Sequence, residues 1–200
     1  MKLETGSLEP LTELIGIGIG RAAEVLNTML GSPVRLSVPS LRVIAPGELA
    51  AALSPLGTEN LSAVQMEFSG EFSGCAELVF KSVDAVRLVD RLIADLPLPG
   101  EDLDSIRAGT LCEIGNIVIN AVLGTIANIV HSELEYSVPI YIYGHPDALL
   151  ADLSYGSGVV ILMTTRFQVE SLEVDGDIVI FLSLSSFESL EGAMRRFADG

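Results

Sequence analysis

The chain repeats itself, and that repeat limits what it can fold into more than any other feature. Shifted by 100 residues, "LTELIGIGIGRAAEVLNTML" from Leu11 lies over "LCEIGNIVINAVLGTIANIV" from Leu111. Glu13 falls on Glu113, Leu14 on Ile114, Ile17 on Ile117 and Leu26 on Ile126, and farther on "SVP" at 37–39 falls on "SVP" at 137–139. A second block matches at a shift of 102: "SGCAELVF" from Ser73 lies over "DGDIVIFL" from Asp175, and Leu88 over Leu190. Two blocks in the same order at nearly the same offset mark an internal duplication. The stretch "DLPLPGED", residues 95–102, holds two prolines and a glycine at the midpoint and reads as a connector. The chain is therefore expected to be one domain over 1–200, made of repeats at about 1–96 and 101–200.

Each half has the same coarse plan. A long helix comes first, at about 8–31 and 102–131; Glu101, Asp102 and Asp104 crowd the start of the second, where the helix dipole favours acids. A strand follows, "VRLSVPSLRVI" in one half and "LEYSVPIYIYG" in the other. Each contains a proline, Pro39 or Pro139, which cannot donate to a ladder and so suits an edge strand or a bulge. A short helix is expected around 47–53. Two strands joined by a tight turn come next, with Ser73-Gly74 and Asp175-Gly176 as turn signals and "VQMEF" alternating apolar and polar. Each half closes on a helix, "VDAVRLVDRLIADL" or "SFESLEGAMRRFA". The expected fold is α/β of the α+β kind: pseudo-twofold halves and a largely antiparallel sheet with helices on one face.

Composition removes several function classes. With 27 acids against 11 bases the formal charge is −16, and the one pair of adjacent arginines, Arg195-Arg196, is no basic face for a nucleic-acid backbone. Such charge fits a cytosolic protein that meets a basic rim on a partner. Cys75 and Cys112 make neither a disulfide framework nor a zinc set and read as small buried hydrophobes. His131 and His145 lack a third ligand or a nucleophile at a useful spacing. Ser154 and Ser157, around Tyr155 and Gly156, lack the strand–GxSxG–helix setting of a hydrolase elbow. The start, with Lys2, Glu4 and Glu9, has no apolar signal-peptide block. The apolar run 117–130 is shorter than the roughly 20 residues of a span and holds Asn120 and Asn128, so it is expected to be the buried part of a helix, with no membrane insertion.

Two features remain that could carry chemistry. Gly16, Gly18 and Gly20 in "GIGIG" suggest a phosphate loop, but such a loop follows a strand. Here "LEPLTELI" before it is helical, with Pro10 in the first turn and Leu11, Leu14 and Ile15 on one face. The glycines are then expected inside a helix, packed closely against its twin or the sheet. In the second copy Glu113 and Asn116 stand at i and i+3, and Asn120 extends the same stripe. A carboxylate and carboxamides on an otherwise apolar helix are either a solvated stripe or a partner's docking site.

The spacing of that stripe resembles the signature of the CheC/CheX/FliY family of chemotaxis phosphatases. In that family an Asp or Ser is followed after three residues by Glu, after two more by Asn, and after twenty-two more by Pro. The second copy reads Gly109, Glu113, Asn116, Pro139, and the first reads Glu9, Glu13, Gly16, Pro39. The resemblance covers nearly the whole chain and implies a phosphatase acting on the phospho-aspartate of a CheY-type receiver domain. It implies that Asn116 positions the attacking water and that Glu113 meets a basic group of the receiver, its active-site lysine. It also implies that Mg²⁺ sits on the receiver, so that the chain needs no cofactor or metal of its own, and that Pro39 and Pro139 are structural. The first site, with Gly16 in place of asparagine, is expected to be degenerate, and Gly109 departs from the Asp or Ser of the pattern. The alternative is a non-catalytic module of the same kind that engages CheD, a receiver domain or the flagellar switch.

Overall fold

The computed structural model describes residues 8–31, 33–53, 59–94, 103–129, 131–145, 158–169 and 172–198. The connector expected at 95–102 and the serines at 154 and 157 lie outside them. The first long helix, α1, runs Leu8–Leu30 with "GIGIG" inside it, so the glycines belong to a helix and not to a phosphate loop. Leu11, Leu14, Ile15, Ile19, Ala22 and Leu26 recur at three- and four-residue steps and are all buried, which is why this segment is a helix despite its glycines. It ends at Gly31, in the left-handed region, whose N–H donates to the Asn27 carbonyl. Strand β1 (Val34–Ile44) follows, then a short 3₁₀ turn and α2 (Leu49–Ala52), the hairpin β2 (Leu61–Gly70) and β3 (Gly74–Lys81), and α3 (Ser82–Ile93).

The second half runs in the same order. Helix α4 (Leu103–Ile129) is followed by β4 (Leu134–Tyr136) and β5 (Ile140–Gly144), the pair β6 (Gly158–Val169) and β7 (Leu172–Ser183), and α5 (Leu184–Ala198). Among the described residues, seven strands form one antiparallel sheet in the order β1-β6-β7-β3-β2, with β4 and β5 both on the outer side of β2. With β1 set against β4–β5, β2 against β6 and β3 against β7, that order reads the same from either edge. The two inner hairpins meet where β3 pairs β7, so both halves share one sheet.

The two prolines lie at the sheet edges. On β1 two residues, Val38 and Pro39, stand between the pairs Ser37–Arg166 and Ser40–Thr164, where β6 has only Thr165: a bulge that takes up Pro39. The strand expected at 134–144 is instead split around Pro139 into β4 and β5. Ser137 closes the gap: its N–H donates to the Glu67 carbonyl and its hydroxyl accepts the Glu67 N–H. One turn signal is corrected. Asp175 and Gly176 are not a hairpin turn but lie within β7, opposite Arg166 and Thr165. A Cβ on Gly176 would sit 2.6 Å from Phe80 Cε1, so this glycine marks the close approach of an aromatic ring.

Helices α1, α3, α4 and α5 bury their apolar faces against one side of the sheet, around Phe80, Phe167, Leu78 and Ile178. A smaller cluster on the other side joins Leu49 and Leu53 to Val79, Val160, Val179 and Phe181. Helix α4 is apolar and long enough by composition to cross a membrane, yet 56% of that stretch is buried inside the molecule. It rests on β2 at Gly115, where a Cβ would lie 2.5 Å from Val64 Cγ1, and it packs along α1. Arg107 ties its first turns to α3, donating two 2.8 Å bonds to the Asp90 carboxylate.

Candidate functional site

The face of α4 that turns away from the sheet is set by what the helix buries. Leu111, Ile114, Val118 and Val122 are in the core and Gly115 lies on Val64. At 3.6 residues per turn, Gly109, Glu113, Asn116 and Asn120 must then share the opposite side. Glu113 and Gly109 are exposed, while Asn116 and Asn120 are half-buried. Asn120 Nδ2 donates to Asn116 Oδ1 at 2.7 Å, and Asn120 Oδ1 is buried with no partner. The i, i+4 spacing permits this bond, but spacing alone marks Asn120 only as one more polar residue on the stripe.

On α1 the corresponding face carries Glu13, Gly16 and Gly20, all exposed. A Cβ on Gly16 or Gly20 would meet nothing within 4 Å. Close packing, expected for all three glycines of "GIGIG", holds for Gly18 alone, whose Cβ would lie 2.8 Å from the Ala121 carbonyl oxygen. Among the described residues no basic group pairs with Glu13 or Glu113. Both carboxylates are therefore available to a cation brought from outside. Pro139 lies in the gap between β4 and β5, and Pro39 lies in β1; both belong to the sheet edges and not to the helix faces.

The remaining candidates stay apart from this face. Cys75 is buried on β3, and burial, followed by the charges of Glu77 and Glu67, pushes its thiol up to about 12. Cys112, next to Glu113, is also raised, by partial burial and then by the Glu113 charge. Neither is poised as a thiolate. His131 is exposed with φ of 55° at the end of α4, and His145 is exposed after β5. Among the described residues no cluster of His, Cys, Asp and Glu could hold a metal ion.

One antiparallel sheet covered on one face by two long helices is a fold that this chain shares with solved FliY and CheX structures. FliY of Thermotoga maritima superposes with a TM-score of 0.77 over 98% of this chain and 100% of its own, at 16% identity. CheX in the CheX–CheY–BeF₃–Mg²⁺ complex of Borrelia burgdorferi superposes with a TM-score of 0.53 over 88% and 97%, at 15% identity. In sequence the chain is similar to "CheY-P phosphatase CheC" of Bacillus subtilis (strain 168), 22% identical over 191 residues, 92% of this chain and 91% of that one. No protein-family model matches the chain. The family that the chain resembles is thus represented by a curated relative and by solved folds.

Proposed function

We propose that the chain is a CheC-like phosphatase that removes the phosphoryl group from the phospho-aspartate of a CheY-type receiver domain, with one working site at Glu113 and Asn116. The observation that carries this reading is the outward pair on α4: an exposed carboxylate without a cationic partner and, one turn on, a carboxamide. A pair standing on a helix surface cannot enclose a small substrate. It suits a protein that brings the reacting group, its Mg²⁺ and its own catalytic acids. The task left to α4 is to hold a water in line with phosphorus. Water attacks, the bond from phosphorus to the aspartyl oxygen breaks, and phosphate and a free carboxylate result. A carboxamide suits this because its oxygen can accept from the water without adding charge beside the phosphoryl group. Asn116 takes that role, and Glu113 takes the receiver's lysine. Glu13 and Gly16 form the degenerate counterpart, since Gly16 has no side chain with which to place water. The chain would act in the cytoplasm beside its receiver, with CheD as a further partner.

Loss of label from a phosphorylated receiver, with each variant at equal concentration, tests the reading. Removing one well-placed polar group from a preorganised site commonly costs on the order of 10²–10³ in rate. Asn116→Ala should lose activity on that scale, while Gly16→Ala keeps it. Glu113→Ala should raise KM for the phosphorylated receiver more than Glu13→Ala does. If the wild-type chain leaves decay at its spontaneous rate, the non-catalytic module that engages CheD, a receiver or the flagellar switch is the correct reading. If Asn116→Ala retains full activity, the chemistry lies elsewhere on the chain.

A further inference from the structure

We propose that Asn120 is a positioning residue for Asn116: it holds the Asn116 carboxamide in one orientation, and the two asparagines work as a unit. This rests on the phosphatase reading of Asn116. The first observation is the 2.7 Å bond from Asn120 Nδ2 to Asn116 Oδ1 across one turn of α4. It fixes the rotation of the Asn116 carboxamide about its last torsion, which is otherwise broad and roughly two-fold. The Asn116 oxygen keeps its second lone pair for an outside donor, and its Nδ2 keeps both donors.

The second observation is that Asn120 sits in an unfavourable setting. Its Oδ1 is buried without a partner, which native proteins avoid, and asparagine is a poor helix former. Alanine at this position would remove both defects. The described interaction that asparagine adds is the bond to Asn116.

The third observation comes from the other half. At the shift of 100, Asn116 falls on Gly16 and Asn120 on Gly20. A side chain at either glycine would enter open space, so packing does not demand glycine there. Gly18 between them is held small by the α4 backbone. The half without the first carboxamide is also without the second, as a working pair would be.

Asn120→Ala and the equal-sized Asn120→Asp separate orientation from packing. A carboxylate cannot donate to Asn116 Oδ1; it attracts Nδ2 and turns the carboxamide over. Both variants should lower kcat for the phosphorylated receiver on the order of ten- to a hundredfold, with KM unchanged. In an Asn116→Ala background, Asn120→Ala should have no further effect. Without any receiver, the side-chain ¹⁵N–¹H₂ resonances of Asn116 should shift in both variants while backbone amides far from α4 stay in place. Wild-type kcat in Asn120→Asp, or an effect confined to KM, would overturn the proposal. So would unchanged Asn116 side-chain resonances, a readout that needs no activity. An inactive wild-type chain with shifted resonances would instead remove the phosphatase reading and leave the carboxamide pair standing.

Discussion

Gly16, Gly18 and Gly20 stand two residues apart on one helix and meet different surroundings. Gly16 and Gly20 face open space; Gly18 touches the α4 backbone at Ala121 and Val122. Glycine inside a helix is less favourable than alanine by about 1 kcal/mol, through backbone entropy. Gly16→Ala and Gly20→Ala should each therefore stabilise the protein by about that amount. Gly18→Ala would set a Cβ 2.9 Å from Val122 Cα, where only movement of the α1 or α4 backbone can make room. It should destabilise by roughly 1–3 kcal/mol. Urea midpoints for the three variants check this, and a Gly18→Ala protein as stable as Gly16→Ala would contradict the packing described. The alternation "GIGIG" is plain in the sequence, but its three environments are not, because they depend on where a helix 100 residues away crosses.

The two long helices end at equivalent places by different means. α1 stops at Gly31 with φ of 60°, and α4 stops at His131 with φ of 55°. After His131 the Ser132 N–H reaches back to the Ala127 carbonyl, a bond that closes the last turn. Glycine takes the left-handed conformation at no steric cost, whereas a residue with a Cβ loses roughly 1–2 kcal/mol there. His131→Gly should thus raise the melting temperature by about 2–4 °C, the shift that about 1 kcal/mol gives a chain of this size. Calorimetry measures it, and a lower melting temperature would mean that the imidazole makes a contact worth more than the strain it tolerates. Among the strands, the prolines marked the edges correctly. Pro39 sits at a bulge and Pro139 at a break because each removes a ladder donor, a property local to the residue. Asp175-Gly176 misled because glycine serves equally in a turn and under an aromatic ring, and only the ring of Phe80 on β3 decides between them.

For the whole molecule, charge matters more than any single ion pair. Arg87–Asp84, Arg166–Asp175 and Arg195–Glu191 are exposed pairs of little individual worth. A formal charge of −16 repels itself throughout. Going from ~10 mM to ~150 mM NaCl shortens the screening length from about 30 Å to about 8 Å. The melting temperature should rise over that range, as followed by circular dichroism at pH 7. A fall would mean that the ion pairs outweigh the repulsion. The same charge favours a partner with a basic rim, so binding of the proposed receiver should weaken as salt rises even while the fold strengthens.

The sequence by itself determined the long helices, the edge prolines and the helix face bearing Glu113 and Asn116. Each of these is written in local periodicity or in a proline's missing N–H. Tertiary structure alone decided that β3 of one half pairs β7 of the other, making one sheet. It decided that Gly115 lets α4 settle on Val64, so that Asn116 faces outward. It also decided that Asn120 turns its amide onto Asn116. The physical reason is the same in each case. Periodicity says which residues share a face, but which neighbour fills the space against that face is set by atoms far away in sequence, and by which rotamer they leave free.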